Sequence, residues 1–283
     1  MLKQGILGSL TIACVLLGCS KPEQIVDAVV SAADEPVVVR YNEFVWCSNG
    51  PNYTPEGRAA NLAFWVDAEQ NTLQQKGLAA MSLLPRGGAG GGIDRMHLLM
   101  WKDKATRDAG WAAYTEAGIQ EAMEAANPGV EHCGGENWED VYPWNVYQPR
   151  MPSVALNPAE SQPVVGYRFC SLNEGKVRDD FRAVIRGEFI PYLDANEAAN
   201  GPSAFNFLVQ VPDPAVPSPA GRGGIPEKFD YMWTNIWASS AEYETVMATW
   251  SQEGQAVQAA FDAVVTCSAE LTFDLTPLMS ASE

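Results

Sequence analysis

Histidine and basic residues are scarce in this chain of 283 residues, and each shortage excludes a class of function. The sequence has 2 His, and its 18 Lys+Arg stand against 35 Asp+Glu, which gives a formal net charge of −17. Nucleic-acid binding needs a Lys/Arg-rich surface that releases counterions from phosphates, so no nucleic-acid partner is expected. The chain has no C-x-x-C pair and no Glu/His spacing motif, so we expect neither a metal site nor a bound cofactor.

Long apolar runs are also missing. The apolar segment from Ile6 to Leu17 is shorter than the about 20 residues that a membrane-spanning helix needs. It follows Lys3 and ends in Leu16-Leu17-Gly18-Cys19, which resembles the lipobox of bacterial lipoprotein signal peptides. The resemblance implies a signal peptide over residues 1–18 and acylation of Cys19. The alternative is an ordinary secretory signal followed by a chance cysteine.

Acylation of Cys19 implies a partner, the lipid bilayer, and a location in the bacterial cell envelope. Two or three acyl chains on one residue anchor a protein stably without a transmembrane helix. In the lipoprotein family, a serine such as Ser20 after the cysteine favours sorting to the outer membrane. We therefore expect an outer-membrane lipoprotein that faces the periplasm or the cell surface, with residues 19–36 as its tether.

The most informative pattern is an internal repeat, because matching residues recur in the same order and at nearly equal spacing. The first half contains F-V-W-C-S and the second Y-R-F-C-S. In each half a Gly-Gly-Ile sequence is followed eight residues later by a tryptophan, and a cysteine comes 32 or 34 residues after that. The matched positions are Cys47, Ile93, Trp101 and Cys133 in the first half, and Cys170, Ile225, Trp233 and Cys267 in the second.

Each half has the pattern strand, helix, strand, strand, helix, strand. Thr54 before Pro55 marks the start of a helix in the first half, and Ser239 with Glu242 has capping-box spacing in the second. Two βαββαβ units predict an α+β fold of duplicated ferredoxin-like repeats, over residues 37–142 and 164–278, joined by a linker over 143–163. This pattern resembles the dimeric α/β-barrel superfamily, in which two such sheets form one barrel with helices outside.

Four cysteines remain outside the predicted signal peptide and the lipobox, and an even number in an exported protein indicates two disulfides with three possible pairings. In the ferredoxin-like order the first and fourth strands of a unit are antiparallel neighbours, which lie within disulfide reach. The resemblance therefore implies the pairs Cys47–Cys133 and Cys170–Cys267.

The third strand of each unit supplies a candidate ligand site. Because side chains alternate along a strand, we expect one face to line the barrel interior and the Met/Leu face, with Met96 and Leu98, to pack on helices. Aligning Trp101 with Trp233 places the candidate binding residues on the inward face: Arg95, His97, Trp101, Tyr231, Trp233 and Asn235. The alternative is that these aromatic side chains only fill a core.

Three functions are open at this stage. The first is binding of a small hydrophobic or aromatic ligand inside the barrel. The second follows from a resemblance to antibiotic-biosynthesis-type monooxygenases, some of which need no cofactor, and it implies His97 as the candidate catalytic base with Arg95 and Tyr231 beside it. The third is a structural or partner-binding envelope protein with a solid core.

Overall fold

The structure is a computed structural model that describes residues 38–75, 77–87, 93–136, 138–157, 161–215 and 218–280. The predicted signal peptide, the tether with Cys19, and residues 88–92 of the glycine-rich loop lie outside these described residues. In the described part of the chain, no helix is both long enough and apolar enough to cross a bilayer.

The first half of the chain, from β1 to β5, alternates strands and helices. Thr54 begins its first helix as predicted, because the Thr54 side chain accepts a hydrogen bond from the backbone N–H of Gly57 at 2.9 Å, a cap worth about 1 kcal/mol. The elements are β1 (Arg40–Asn49), α1 (Pro55–Asp67), a π-helical turn (Ala68–Thr72), β2 (Leu78–Pro85), β3 (Arg95–Trp101), α2 (Lys104–Glu116), α3 (Ile119–Ala126), β4 (Glu131–Cys133) and β5 (Val141–Tyr147).

The second half, from β6 to β10, has the same order of elements except for one additional helix, α5, after its π-helical turn. Ser239 begins its last helical region as predicted, since its side chain accepts from the backbone N–H of Glu242 at 3.2 Å. The elements are β6 (Val164–Leu172), α4 (Arg178–Val184), a π-helical turn (Ile185–Phe189), α5 (Ile190–Asn200), β7 (Asn206–Pro212), β8 (Tyr231–Trp237), α6 (Ser240–Glu253), α7 (Gln255–Asp262), β9 (Val265–Cys267) and β10 (Leu271–Met279).

Eight strands close into one antiparallel barrel. Their order is β2-β3-β1-β5-β7-β8-β6-β10, and β10 pairs back onto β2. Short strands β4 and β9 pair with the outer parts of β1 and β6. The strand order is therefore the same within each half, β2-β3-β1-β5 in the first and β7-β8-β6-β10 in the second. The two halves are joined by two strand pairs, β5 with β7 and β10 with β2.

Both predicted disulfides are confirmed. Cys47 lies directly opposite Cys133 across the β1–β4 pair, and Cys170 lies opposite Cys267 across β6–β9. The sulfurs close loops with sequence separations of 86 and 97 residues. Each bridge thus ties the beginning of a half to its end.

Glycines separate consecutive helices, Gly118 (φ +62°) between α2 and α3 and Gly254 between α6 and α7. In the second half α5 follows directly on the π-helical turn and contains Pro191 near its start. One expectation on domain bounds needs correction. Residues 143–147, assigned to the linker, belong to β5, because they pair with β1 and β7.

Candidate ligand-binding site

The barrel interior is packed mainly by aromatic and aliphatic side chains. Phe44 meets Tyr167 edge-on with ring centroids 5.4 Å apart, at the centre of a cluster to which the strands and the 225–229 loop contribute. At one end of the barrel, buried Gln210 donates to Thr234 at 2.7 Å and accepts from Asn42 at 3.1 Å. These polar contacts form a small hydrogen-bonded group within the apolar interior.

A cavity of about 180 Å³ remains at the other end of the interior, lined by Trp46, Tyr142 and Ile225 among others. Arg222, on the loop before β8, contacts two of the residues that line it. The Arg222 guanidinium lies 5.1 Å from the centre of the Trp46 ring, donates to the Tyr142 hydroxyl at 2.7 Å and pairs with Asp140. The barrel interior is therefore packed over most of its length and keeps one small cavity.

A larger cavity, of about 470 Å³, lies outside the barrel wall between the sheet and the helices of the second half; we call it the second-half cavity. Its walls contain aromatic rings from six elements and from the residue before β7, and the ring centroids of Phe189 and Trp233 are 5.5 Å apart. The aromatic residues in its lining are Phe181, Phe189, Tyr192, Phe205, Trp233, Trp237, Trp250 and Phe261.

The floor of the second-half cavity carries a short polar chain. The Trp233 indole N–H donates to Asn235 Oδ1 at 2.8 Å, and Asn235 Nδ2 donates to Glu270 Oε1 at 3.0 Å. Arg168 lies 3.5 Å from the same Glu270 oxygen. Glu270 fits here because Gly166 has no side chain, since a Cβ at that position would lie 2.6 Å from Glu270 Cδ.

One polar group in the cavity wall is left over. The Trp237 indole N–H is buried and has no hydrogen-bond partner among the described residues. A buried donor without an acceptor costs about 1–3 kcal/mol, and this N–H has almost no surface that a molecule in the cavity could reach.

The corresponding layer of the first half is filled by charge. Arg95 donates to Glu131 at 2.8 Å, with both side chains almost fully buried, and Arg58 donates to Ser82 at 3.0 Å. His97 lies beside this ion pair, with its ring 6.3 Å from that of Trp65. The cavity that remains there is only about 60 Å³.

His97 is poorly suited to act as a base. Burial, and to a lesser degree Arg58 and Arg95, lower the pKa of His97 to about 3, so the ring is neutral at neutral pH and accepts protons weakly. Its Nδ1 has no partner among the described residues.

Sequence reasoning missed the buried carboxylate of Glu43. Its side chain is fully buried and accepts hydrogen bonds from Arg107 Nε at 2.8 Å and from the indoles of Trp111 at 2.6 Å and Trp101 at 3.3 Å. The sequence signal that could have revealed Glu43 is its position between Tyr41 and Val45 on one face of a strand rich in apolar residues, where a charged side chain needs a buried partner.

The face assignment of the candidate residues was wrong. Met96 and Leu98 point into the barrel, whereas His97 and Trp101 face the helices, and Tyr231 and Trp233 do the same in the second half. Both faces of these strands are buried, so alternation alone could not tell inside from outside.

The structure divides the six candidate residues between two layers. Arg95, His97 and Trp101 belong to the first half, and Tyr231, Trp233 and Asn235 to the second. Trp233 and Asn235 line the second-half cavity, and Tyr231 stacks on Phe181 at 5.0 Å.

The alignment of Trp101 with Trp233 was also wrong. Counting from the disulfide cysteines, Cys47 pairs with Arg95 and Cys170 with Tyr231. The residues that correspond are therefore Arg95 and Tyr231, His97 and Trp233, and Trp101 and Trp237.

Comparisons with known proteins were made on sequence and on structure. No protein-family model and no curated protein sequence matches the chain. Solved structures resemble it: an anthrone oxidase-like protein (TM-score 0.48, 11% identity, 85% of this chain and 94% of the other); a protein predicted to be a monooxygenase, from Lactobacillus acidophilus (0.47, 9%, 86% and 99%); and a mutant chlorite dismutase from Candidatus Nitrospira defluvii (0.48, 12%, 87% and 94%). At these identities and TM-scores, the function of this chain has to be inferred from its own residues.

Proposed function

We propose that the protein binds a small, flat, apolar molecule in the second-half cavity. The observation that carries the proposal is the cavity itself, about 470 Å³ with eight aromatic side chains in its lining. Ligand sites of small molecules are typically clefts of about 300–1,000 Å³ with apolar walls and a few polar groups that fix orientation. The first-half cavity, of about 60 Å³, and the interior cavity, of about 180 Å³, are smaller.

The polar groups of the cavity suit a ligand with one hydrogen-bonding edge. Arg168 and Asn235 offer donors on the floor. An aromatic ketone, quinone or phenol presents an oxygen acceptor on a flat apolar body, so this class of molecule fits both the walls and the floor.

Binding without catalysis is favoured over the oxygenase alternative. The three groups named for that reaction lie in different layers, with His97 and Arg95 in the first half and Tyr231 in the second. The low pKa of His97 argues further against a role as base.

Fluorescence titration with N-phenyl-1-naphthylamine, a neutral aromatic probe, tests the site. Met247 lies eight residues after the cap Ser239, as Trp111 does after the cap Asp103, so a tryptophan at 247 suits this helix position and fills the cavity. We expect Met247→Trp to weaken binding at least tenfold.

Met123→Trp is the matched control, because Met123 lines the first-half cavity. It should leave binding of the probe within about twofold of wild type, with circular dichroism showing that both variants fold. Equal binding by wild type and Met247→Trp would contradict the proposal, and loss of binding only in Met123→Trp would move the site to the first half.

We also infer that the two halves are copies of one ferredoxin-like unit. The equal strand order, the equivalent disulfides and the matching helix caps support this inference. Separate superposition of the halves of an experimental structure is the test, and failure of β1–β5 to overlay on β6–β10 would contradict it.

We further propose that the barrel is held at the membrane by acylated Cys19, which the lipobox-like Leu16-Leu17-Gly18-Cys19 supports. The predicted tether, residues 19–36, precedes the barrel, whose first strand begins at Arg40. Cys19→Ala should move the protein from the membrane fraction to the soluble fraction. Unchanged membrane association would contradict the anchor.

A further inference from the structure

Four potential metal ligands meet in the helix–sheet layer of the first half. Cys47, His97, Glu131 and Cys133 each offer a ligand atom, and these atoms all lie within 4.8 Å of one another. They come from three adjacent strands, β3, β1 and β4, so no spacing motif marks them in the sequence. At present the two sulfurs are joined in a disulfide.

We propose that reduction of the Cys47–Cys133 disulfide creates a buried binding site for a divalent cation of the zinc type, formed by both sulfurs, His97 and Glu131. Two sulfurs, one imidazole and one carboxylate make a four-ligand set that zinc accepts in tetrahedral geometry. The site is conditional, because a disulfide sulfur is not a thiolate ligand.

The chemistry balances with a dithiol as the reductant. The dithiol gives two electrons and two protons to the Cys47–Cys133 bond, becomes a disulfide itself, and leaves two protein thiols. Binding of the cation then releases both thiol protons to solvent as two metal–sulfur bonds form. The sulfurs must separate to about 3.7 Å to bind one tetrahedral zinc at about 2.3 Å each.

His97 is already prepared for this role. It is 9% exposed, and its Nδ1 is buried without a partner among the described residues. An imidazole nitrogen without a hydrogen-bond partner is a common metal ligand. The cavity of about 60 Å³ is lined by His97, Glu131 and Cys133, so it gives a cation space beside three of the four ligands.

The local charges suit a cation only after reduction. In the disulfide state Glu131 is paired with Arg95, and Arg58 is nearby, so the surroundings of His97 carry more positive than negative charge. Two thiolates would reverse that balance. Arg95 would then hold Glu131 in place, as outer hydrogen bonds commonly do for metal ligands.

The other disulfide is a control within the same molecule. Trp233 occupies the position that corresponds to His97, and Val265 lies two residues before Cys267 as Glu131 does before Cys133. Reduction of Cys170–Cys267 therefore yields two thiols without an imidazole or a carboxylate, and no such site.

Titration of the full chain with Co²⁺, before and after reduction by a dithiol that is then removed, tests the proposal. The reduced protein should bind one Co²⁺ and show thiolate-to-cobalt charge transfer and tetrahedral d–d bands, whereas the oxidised protein should not. His97→Gln should weaken binding at least tenfold, and Cys170→Ser/Cys267→Ser should leave it unchanged. Absence of the bands from the reduced wild type, or bands that persist in His97→Gln, would overturn the proposal.

If the cysteine variants do not fold, the same proposal can be tested on the wild-type protein by thiol alkylation with peptide mapping. In the reduced wild type, Zn²⁺ should protect Cys47 and Cys133 from iodoacetamide at least tenfold, while Cys170 and Cys267 stay reactive. Equal protection of the two pairs, or of neither, would also overturn the proposal.

Discussion

The two helix–sheet layers of this barrel have the same frame and opposite contents. Four residues before its disulfide cysteine, the first half has Glu43 and the second half has Gly166. Glu43 collects hydrogen bonds from Arg107 and two indoles, whereas Gly166 leaves room for Glu270 at the edge of an open cavity. One layer thus uses its volume for a buried charge network and the other leaves it open.

The helices show the same contrast. Seven residues after the helix caps Asp103 and Ser239, the first half has Gly110 and the second has Val246. A Cβ at Gly110 would lie 2.5 Å from the Trp101 ring, so the glycine lets that ring press against the helix. Small changes in side-chain volume on a common frame therefore decide which half is closed and which can hold a ligand.

The largest expected effect is loss of a disulfide, which asks whether the halves depend equally on their bridges. Cys47→Ser/Cys133→Ser and Cys170→Ser/Cys267→Ser each open a loop of similar length. The chain-entropy model predicts a loss of about 4–5 kcal/mol in the free energy of unfolding for each pair. Denaturant unfolding without reductant measures both losses, and a loss below about 1 kcal/mol for either pair would contradict the model.

Removing the cation from the first-half network comes next. Arg107→Met leaves the fully buried Glu43 carboxylate without its ion-pair partner, and we expect a loss of about 3 kcal/mol in the free energy of unfolding. The double variant Glu43→Gln/Arg107→Met should lose less, because no charge is then left unpaired. Guanidinium unfolding curves give both values.

The second half supplies the control for that prediction. Tyr243 lies four residues after its helix cap, as Arg107 does, and Tyr243→Phe removes no charge. Its cost should stay within about 0.5 kcal/mol. If Arg107→Met cost as little, the charge network would not be what stabilises the first half.

A side chain at Gly166 tests whether the second half depends on the space that this glycine leaves for Glu270. In Gly166→Ala, the new methyl group meets Glu270 and displaces it from Asn235 and Arg168, with an expected cost of about 2 kcal/mol for overpacking. Glu270→Ala should recover part of that loss in the double variant. Additive losses in thermal unfolding would contradict the proposed contact.

The sequence predicted the frame better than the contents. The two helix caps follow from local chemistry, as Thr54 illustrates. Both disulfide pairs follow from the strand order of the ferredoxin-like unit that the sequence pattern resembles, as Cys47 illustrates. The face of His97 was not predictable, because both faces of its strand are buried. Glu43 was missed because its cation lies 64 residues away in sequence. The open volume of the second half arises from packing among many side chains and leaves no local signal.

The smallest expected effect concerns two titrating groups that only the first half possesses. Burial raises the pKa of Glu69 to about 7, despite a hydrogen bond from Trp65 that lowers it, and burial with nearby Arg58 and Arg95 lowers that of His97 to about 3. Glu69 contributes stability that is lost as pH rises from 4.5 to about 7; His97 contributes stability that is lost as pH falls from 6.5 to about 3. Between pH 4.5 and 6.5, the ordinary pKa values of the two groups, Glu69 lowers the free energy of unfolding as pH rises and His97 raises it.

Removing one group should therefore reveal the other. Relative to wild type, the free energy of unfolding of Glu69→Gln should rise with pH between about 5 and about 6, by up to about 1.4 kcal/mol per unit, and that of His97→Gln should fall. Trp233, which corresponds to His97, does not titrate, so the second half adds nothing to this pair. Parallel pH profiles for the two variants, measured by denaturant unfolding, would show that the buried polar layer does not set the acid response of the barrel.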